Sequence, residues 1–327
     1  PVTATRRTPR RGHRSKYGGA EVGGLLLGSC GPNEHSFWGV GVERFAPVGG
    51  AIRPGGGAIR TTSPRPARLF GAEMDVWCTK RSFRAQVIRG MRFTYAGGIT
   101  GTGSLTKSGA GNLVLSGTNN YTGPTSVAAG RLSVNGSLAN TAVTVASAAE
   151  LGGSGSIVGA LTVNNGGTLA PGNSIAALSV GDTTFDGGST FAYEVDSTNV
   201  GSLGSAADLL VVGSDLDIAA GTVLSFTDLN NAPNAFADGT IFALINYSGT
   251  WDGGVFTFNS QSLADGDRFF VGAEEWQIDY NSPTGGLNFT SDYVSGSFVT
   301  VTAVPEPTTL AILAAAGCLA AIRRYRA

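Results

Sequence analysis

A repeat with a spacing of about 18 residues restricts this chain more than any other feature of its sequence. Five segments each open with Ser or Thr, carry a large apolar residue six or seven positions later, and reach a glycine soon after. The openings and their apolar partners are Thr106 and Leu113, Ser126 and Leu132, Thr144 and Leu151, Thr162 and Leu169, and Ser179 and Phe185. Such a period, with Gly and Asn corners, predicts stacked coils, each of two short strands and two turns, because each coil can pair its backbone with the next.

The coil interpretation predicts that apolar side chains point inward and stack in columns. The residues expected to do so are Val127, Leu132, Val145, Leu151, Val163, Leu169, Val180 and Phe185. No stretch of the region has the periodicity of a helix, and the 50 glycines of the chain follow no collagen-like period. The alternative is an irregular antiparallel β-sandwich with glycine turns, which the regular spacing disfavours.

A denser motif begins in the first segment and continues into the second. Its residues are Lys107, Gly109, Gly111, Leu113, Leu115, Gly117, Asn119, Tyr121, Gly123, Thr125, Gly130 and Leu132. In this order and spacing they resemble the autotransporter-associated β-strand repeat. The resemblance implies an all-β fold, a right-handed parallel β-helix (solenoid), as in the passenger domains of autotransporters.

Further short strands, separated by turn clusters such as Asp252-Gly-Gly and Asp265-Gly-Asp, follow the repeats. We assign 97–190 to the β-helix repeats and 191–302 to a β-rich C-terminal cap, because an open solenoid end would expose strand edges. The sequence leaves open whether this cap continues the helix or forms a sandwich.

The C-terminal tail, 303–327, has three parts in a fixed order. Pro305, Glu306 and Pro307 form a rigid break, residues 308–322 carry no charge, and Arg323, Arg324 and Arg326 close the chain. A 15-residue helix rises about 22 Å, so it spans a bilayer of about 30 Å only with snorkelling arginines. The alternative is a small Ala-rich amphipathic or buried helix.

The order of these parts resembles the PEP-CTERM sorting signal of exported bacterial proteins. The resemblance implies one transmembrane helix at 308–322, and a basic membrane stop at the three arginines. Its implied partners are an exosortase-type sorting enzyme and the lipid bilayer. The implied location is transient anchoring in the cytoplasmic membrane, followed by the cell surface or extracellular matrix.

The first 92 residues differ from the rest of the chain in composition. They hold 16 basic and 5 acidic residues, whereas 93–327 hold 6 basic and 18 acidic residues. We expect this Arg-, Pro- and Gly-rich segment to be unstructured or to result from a misassigned start. The alternative is a lipoprotein signal, because the Leu-Gly-Ser run that ends at Cys30 resembles a lipoprotein cleavage box.

Composition also excludes several functions. The acidic surface expected for 93–327 repels phosphate backbones, so we expect no nucleic-acid partner. The only histidines are His13 and His35, so 93–327 can build neither a Ser-His-Asp triad nor a histidine metal site. We therefore predict no enzyme, no cofactor and no metal.

The sequence thus predicts an exported, surface-sorted structural or adhesive β-helical protein of the envelope or exopolysaccharide matrix, with exopolysaccharide as a further candidate partner. The alternative is a carbohydrate-binding module or a polysaccharide-acting enzyme on a β-helix scaffold. Three sets of residues are candidates for this alternative. Trp251, Trp276 and Tyr280 could form an aromatic platform for sugars, and Asp265 and Asp267 could form a turn that binds Ca²⁺ weakly. The candidate carboxylates for glycoside hydrolysis are Asp208, Asp215, Asp217 and Asp228.

Overall fold

The computed structural model describes residues 36–41, 72–79, 82–87, 89–199, 206–230, 236–272, 274–285 and 297–304. All regular elements in these ranges are β-strands, which confirms the all-β class. In chain order the strands are β1 (Ser36–Gly41), β2 (Ala72–Thr79), β3 (Ser82–Val87), β4 (Arg92–Tyr95), β5 (Ser104–Ser108), β6 (Asn112–Leu115), β7 (Thr118–Asn119), β8 (Thr125–Val127), β9 (Gly130–Val134), β10 (Ser137–Leu138), β11 (Val143–Val145), β12 (Ala149–Gly153), β13 (Ser156–Ile157), β14 (Leu161–Val163), β15 (Thr168–Pro171), β16 (Ala177–Val180), β17 (Thr183–Phe185), β18 (Thr190–Val195), β19 (Leu209–Val212), β20 (Leu216–Ile218), β21 (Val223–Asp228), β22 (Ile241–Tyr247), β23 (Thr257–Phe258), β24 (Gln261–Ser262), β25 (Arg268–Val271), β26 (Glu274–Ser282) and β27 (Ser297–Val304).

Each full coil contributes one strand to each of three sheets. Sheet A has the strand order β1-β2-β3-β5-β8-β11-β14-β17-β20, sheet B the order β24-β23-β21-β18-β15-β12-β9-β6-β4, and sheet C the order β25-β26-β27-β22-β19-β16-β13-β10-β7. Pairing is parallel from β3 to β20, from β4 to β23, and from β7 to β22. The described coils therefore form a parallel β-helix, but with three strands in a coil where we expected two. The third strand was missed because β7, β10 and β13 have only two residues each, too few to show a pattern.

Two inward columns form the centre of the core. In sheet A, Val127, Val145, Val163 and Phe185 lie in register on successive coils. In sheet B the column is Leu113, Leu132, Leu151, Leu169 and Phe191. All of these side chains are buried, as is Val180, the remaining residue that the sequence placed inward. The spacing of the first four segments therefore predicted the register correctly.

The fifth segment was aligned to the wrong sheet. Ser179 pairs with Ser156 and Val211 in sheet C, whereas the residue in register with Thr162 is Thr184. Phe185 consequently extends the valine column of sheet A and not the leucine column. The error arises because the corner between β15 and β16 is longer than in earlier coils, and corner length is weakly constrained.

The N-terminal end carries strands inside the segment that we expected to be unstructured. β1, β2 and β3 form an antiparallel meander, and β3 then pairs in parallel with β5 to start sheet A. In β2, Met74 and Val76 alternate with Glu73 and Asp75, which is typical of a strand. The basic composition of the whole segment hid this local pattern.

The C-terminal end changes from parallel to antiparallel pairing. The coils continue beyond residue 190 as far as β22 and β23. After them, β27, β26 and β25 add to sheet C in antiparallel order. The stretch that we described as a cap thus continues the helix first and then ends it with an antiparallel extension.

Candidate functional site

The motif lysine spans two coils with its ammonium group. Lys107 is fully buried, and its Nζ donates to the carbonyl oxygens of Ser108 (3.1 Å), Gly109 (2.7 Å) and Ala129 (2.8 Å). Three carbonyl acceptors match the three donors of an ammonium group. Burial lowers the pKa of Lys107 to about 8. The side chain therefore fastens the corner between sheets A and B in one coil to the same corner in the next.

The motif asparagine performs the same task at another corner. Asn119 is fully buried, and its Nδ2 donates to the carbonyls of Gly117 (3.0 Å) and Ser137 (3.1 Å). Its Oδ1 accepts from the backbone N–H of Ile99 at 3.0 Å. One side chain thus satisfies backbone groups of the preceding, the same and the following coil. An unpaired buried amide would instead be costly.

The motif tyrosine closes the turn that leads into the second coil. The hydroxyl of Tyr121 lies 2.5 Å from Oγ1 of Thr125, and both residues are buried. Burial raises the pKa of Tyr121 to about 12, while the hydrogen bond with Thr125 acts in the opposite direction. The pair has no access to solvent, so it cannot act on an external substrate.

The motif glycines are needed where neighbouring coils approach closely. A Cβ at Gly117 would lie 2.3 Å from the carbonyl oxygen of Gly97, and one at Gly123 would lie 2.5 Å from that of Gly103. Gly109 combines a positive φ of 75° with a Cβ position 2.4 Å from a carbonyl oxygen. Glycine alone fits these positions without moving the preceding coil.

Gly111 and the motif leucines also belong to the coil scaffold. The N–H of Gly111 donates to the carbonyl of Val87 at 2.8 Å, and Leu113 and Leu115 are buried in the core. The repeat motif is thus a set of contacts between coils, in which each polar side chain bonds backbone or a buried neighbour.

A second buried polar group lies around Asp208, which is fully buried. Its Oδ1 accepts from the N–H of Ala176 at 3.0 Å, and its Oδ2 accepts from the N–H of Glu194 at 3.1 Å. Burial raises the pKa of Asp208 to about 8. The Glu194 carboxylate adds to this rise, and the two N–H donors and Arg131 oppose it. The carboxyl group joins the loop that precedes β16 to strand β18, so its geometry is that of a structural bridge.

Arg131 organises the neighbouring outward surface of sheet B. Its Nη1 forms an ion pair with Glu150, its Nη2 donates to the carbonyl of Gly172 at 2.6 Å, and its Nε donates to Oγ of Ser133 at 3.1 Å. Glu150 and Arg131 are in register on adjacent strands. The guanidinium thus connects three successive coils.

The four carboxylates considered for glycoside hydrolysis have separate partners. Asp215 accepts from the N–H and hydroxyl of Thr250, and Asp228 accepts from the N–H of Ser197. Asp217 lies on the outward face of sheet A, whereas Asp208 is buried beside β19. Each of the four aspartates thus belongs to a turn, a corner or a strand of the scaffold. Within the part of the chain that the structure describes, no group of three or more His, Cys, Asp or Glu residues could hold a metal ion.

The three aromatic residues considered as a sugar platform are packed into the C-terminal end of the core. Trp251 stacks on Tyr280 with ring centroids 5.1 Å apart and planes inclined by 6°, and Tyr280 and Trp276 are buried. The indole Nε1 of Trp251 donates to the carbonyl of Gly254 at 2.8 Å. The cluster therefore exposes to a ligand at most one face of the half-buried Trp251 indole.

The Asp-Gly-Asp turn is satisfied by backbone. Asp265 accepts from the N–H of Tyr280 at 3.0 Å, and Asp267 accepts from the N–H of Ala264 at 2.8 Å. These bonds connect the turn to β26 and close its own loop. Both carboxylates thus accept backbone N–H groups and stabilise the turn, and a bound cation would have to compete with these hydrogen bonds.

One surface depression of about 550 Å³ lies at the corner between sheets C and A. Its lining includes Ser156, Val158, Ser179 and Asp182, and it contains no aromatic side chain. It therefore offers no surface on which a sugar ring could stack.

The predicted sorting motif, the membrane segment and the arginine stop fall in 305–327, outside the described residues. In the ranges that are described, no helix has the length and apolar character needed to cross a membrane.

Comparison with known families identifies a relative of the repeat motif. Residues 105–134 match the family model described as Passenger-associated-transport-repeat. No curated protein matches the chain. The matched residues run from β5 to the end of β9. They include the lysine and asparagine that connect coils and the tyrosine that closes the turn between β7 and β8. The match supports a passenger-type β-helical protein of the kind associated with autotransporters, and such repeats suggest export to the cell surface.

Proposed function

We propose that this chain is a structural or adhesive protein of a bacterial surface, a β-helical stalk that its C-terminal signal sorts to the envelope or exopolysaccharide matrix. The observation that carries the proposal is the use of the repeat's polar side chains. Lys107 and Asn119 donate hydrogen bonds to backbone carbonyls of their own coil and of the next coil. A chain whose buried polar side chains stiffen its coils is suited to act as a rigid spacer at the surface. We therefore propose that it is not an enzyme and needs no cofactor.

The tail supplies the sorting part of the proposal. Pro305, Glu306 and Pro307 would be recognised by an exosortase-type enzyme while 308–322 spans the bilayer, with Arg323, Arg324 and Arg326 on the cytoplasmic side. Cleavage near the Pro-Glu-Pro motif would then release the stalk to the surface or to exopolysaccharide. The last described strand, β27, ends at Val304, so the motif directly follows this strand in the sequence.

Cell fractionation tests the sorting step in a bacterium that makes an exosortase. The full chain is compared with a variant that carries Pro305→Ala, Glu306→Ala and Pro307→Ala. We expect the parent at the surface or in the matrix at reduced mass, and the variant in the membrane at full mass. The control carries Gln261→Ala and Ser262→Ala, two exposed positions in β24, and should behave as the parent. Equal location and mass of the parent and the tail variant would refute sorting, and release of sugar from polysaccharides by the purified chain would refute the non-enzymatic role.

A further inference from the structure

The outward face of sheet A carries an ordered row of side chains. Seven residues, one from each successive strand from β3 to β20, are in register along it. They are Arg84, Thr106, Ser126, Thr144, Thr162, Thr184 and Asp217, which we call the sheet A row. The five middle residues carry hydroxyl groups, and the two ends carry opposite charges.

The middle of this face is flat. Six positions lie two residues before or after Ser126, Thr144 and Thr162, and four of them are alanines. The four are Ala128, Ala142, Ala146 and Ala160, and the other two are Pro124 and Asn164, so no long side chain rises beside the row. Thr144 at the centre is exposed. A flat face of short side chains allows a second sheet to approach closely.

Charge is distributed unequally between the two ends of the face. Exposed Arg84 and Arg89 lie at the N-terminal end, and Asp182, Asp215 and Asp217 lie at the C-terminal end. Among the residues that the structure describes, the ion pairs are Arg131–Glu150 and Arg268–Glu275, and neither involves the sheet A row. The part of the face between β3 and β20 therefore has one basic and one acidic end. Strands β2 and β1 continue sheet A beyond the basic end, and Trp77 of β2 is in register with Arg84.

We propose that sheet A is a self-association surface, on which a second copy of the chain packs with its long axis reversed. The row reads almost the same from both ends, so a two-fold axis along the strand of Thr144 places hydroxyl against hydroxyl throughout its middle. The same axis places Arg84 of each copy opposite Asp217 of the other. Such a self-complementary patch is what a two-fold dimer requires.

The charges select this orientation. If the two rods lay parallel, Arg84 would face Arg84 and Asp217 would face Asp217, and like charges across an interface are unfavourable. Reversal of one rod converts both repulsions into attractions. The proposal concerns only the described coils and does not depend on the sorting tail.

The size of the face indicates a weak, reversible dimer. Seven strands at about 4.8 Å extend about 29 Å, and five residues of strand extend about 16 Å. The interface thus buries about 460 Å² per copy and about 900 Å² in total, below the usual size of a stable interface. Association is therefore expected to depend on protein concentration and on salt, since screening weakens exposed charge pairs.

Sedimentation equilibrium of the full chain tests the proposal through a charge exchange. We expect the parent to dimerise at low salt and to weaken at least about tenfold in about 1 M salt. Arg84→Asp and Asp217→Arg should each abolish dimerisation at low salt, because each single change creates two like-charge pairs. The double variant should dimerise again, within about threefold of the parent, because the pairs are then exchanged.

A central substitution provides a second measurement that does not depend on the charge pairs. Thr144→Arg should abolish dimerisation, because two guanidinium groups then meet at the axis. Thr227→Arg, at an exposed strand position of sheet B, is the matched control and should leave dimerisation unchanged. Circular dichroism and thermal melting confirm that each variant is folded, and Thr144→Arg decides the question if a charge reversal unfolds the chain.

Several results would overturn the proposal. They are a parent that stays monomeric at low salt, a dimer that withstands Thr144→Arg, and a folded double variant that fails to recover dimerisation. Retention of a monomeric chain on a polysaccharide matrix, lost on Thr144→Arg, would assign the face to a glycan and would also overturn it.

Discussion

Replacement of Leu151 by alanine tests the inward column of sheet B. Leu151 is fully buried between Leu132 and Leu169, which lie in register on the coils on either side. Leu→Ala changes in protein cores cost about 2.7–5.0 kcal/mol, and the cost grows with the cavity that remains. The flanking leucines are held by parallel backbone ladders and cannot move into the gap without breaking them. We therefore expect a loss of about 4 kcal/mol, near the upper end of that range.

The matched control is Val158→Ala, in the same coil. Val158 is 63% exposed, so its truncation removes little buried surface and should cost less than about 0.5 kcal/mol. Urea unfolding of both variants and the parent is followed by far-UV circular dichroism, and midpoint and slope are compared. A lower slope for Leu151→Ala would mean that the coils on either side unfold separately, as a solenoid allows. Equal stability of the two variants would refute the column, and with it the inward assignment of the leucines.

Two further predictions concern a buried carboxyl and a close approach between coils. Burial raises the pKa of Asp208 from 3.8 to about 8, so its contribution to stability is fully present below about pH 4 and is lost as the pH rises through about 8, by at most about 6 kcal/mol. Asp208→Asn should remove that loss from urea titrations across this pH range, whereas Asp238→Asn at an exposed position should keep it, and an unchanged profile for Asp208→Asn would contradict the assignment. Gly117→Ala would place a Cβ 2.3 Å from a carbonyl oxygen of the preceding coil, whereas in Gly213→Ala the nearest atom lies 3.4 Å away. We expect the first change to cost more than about 2 kcal/mol and the second less than about 0.5 kcal/mol in urea unfolding, and equal costs would contradict the close packing of coils.

The sequence predicted the coils where side-chain periodicity alone sets the register. Thr106, Ser126, Thr144 and Thr162 are in register as their spacing indicates, because a one-residue slip would turn every buried side chain outward. The same reasoning failed at Ser179, because a Ser-Val pair fits an outward–inward alternation on any of the three sheets. Periodicity identifies the buried face of a strand but not the sheet to which the strand belongs.

The polar contacts were less accessible from the sequence. Lys107 and Asn119 could be recognised as motif residues, but their carbonyl partners lie up to 22 residues away in the chain. The role of Asp208 was missed because the residue was grouped with other aspartates near it in sequence. Its position directly before the apolar strand β19 was the one signal that could have indicated burial.

The amino-acid sequence by itself determined that this chain stacks coils and which leucines and valines form their interior, since the alternation of apolar residues and glycine corners admits little else. Only the tertiary structure decided that each coil has three faces and that Arg84 and Asp217 stand at opposite ends of the parallel part of sheet A. The reason is that neighbours along a β-helix are residues about 20 positions apart, joined by corners of variable length. Which polar groups meet is therefore fixed by the stacking of whole coils and not by any local pattern.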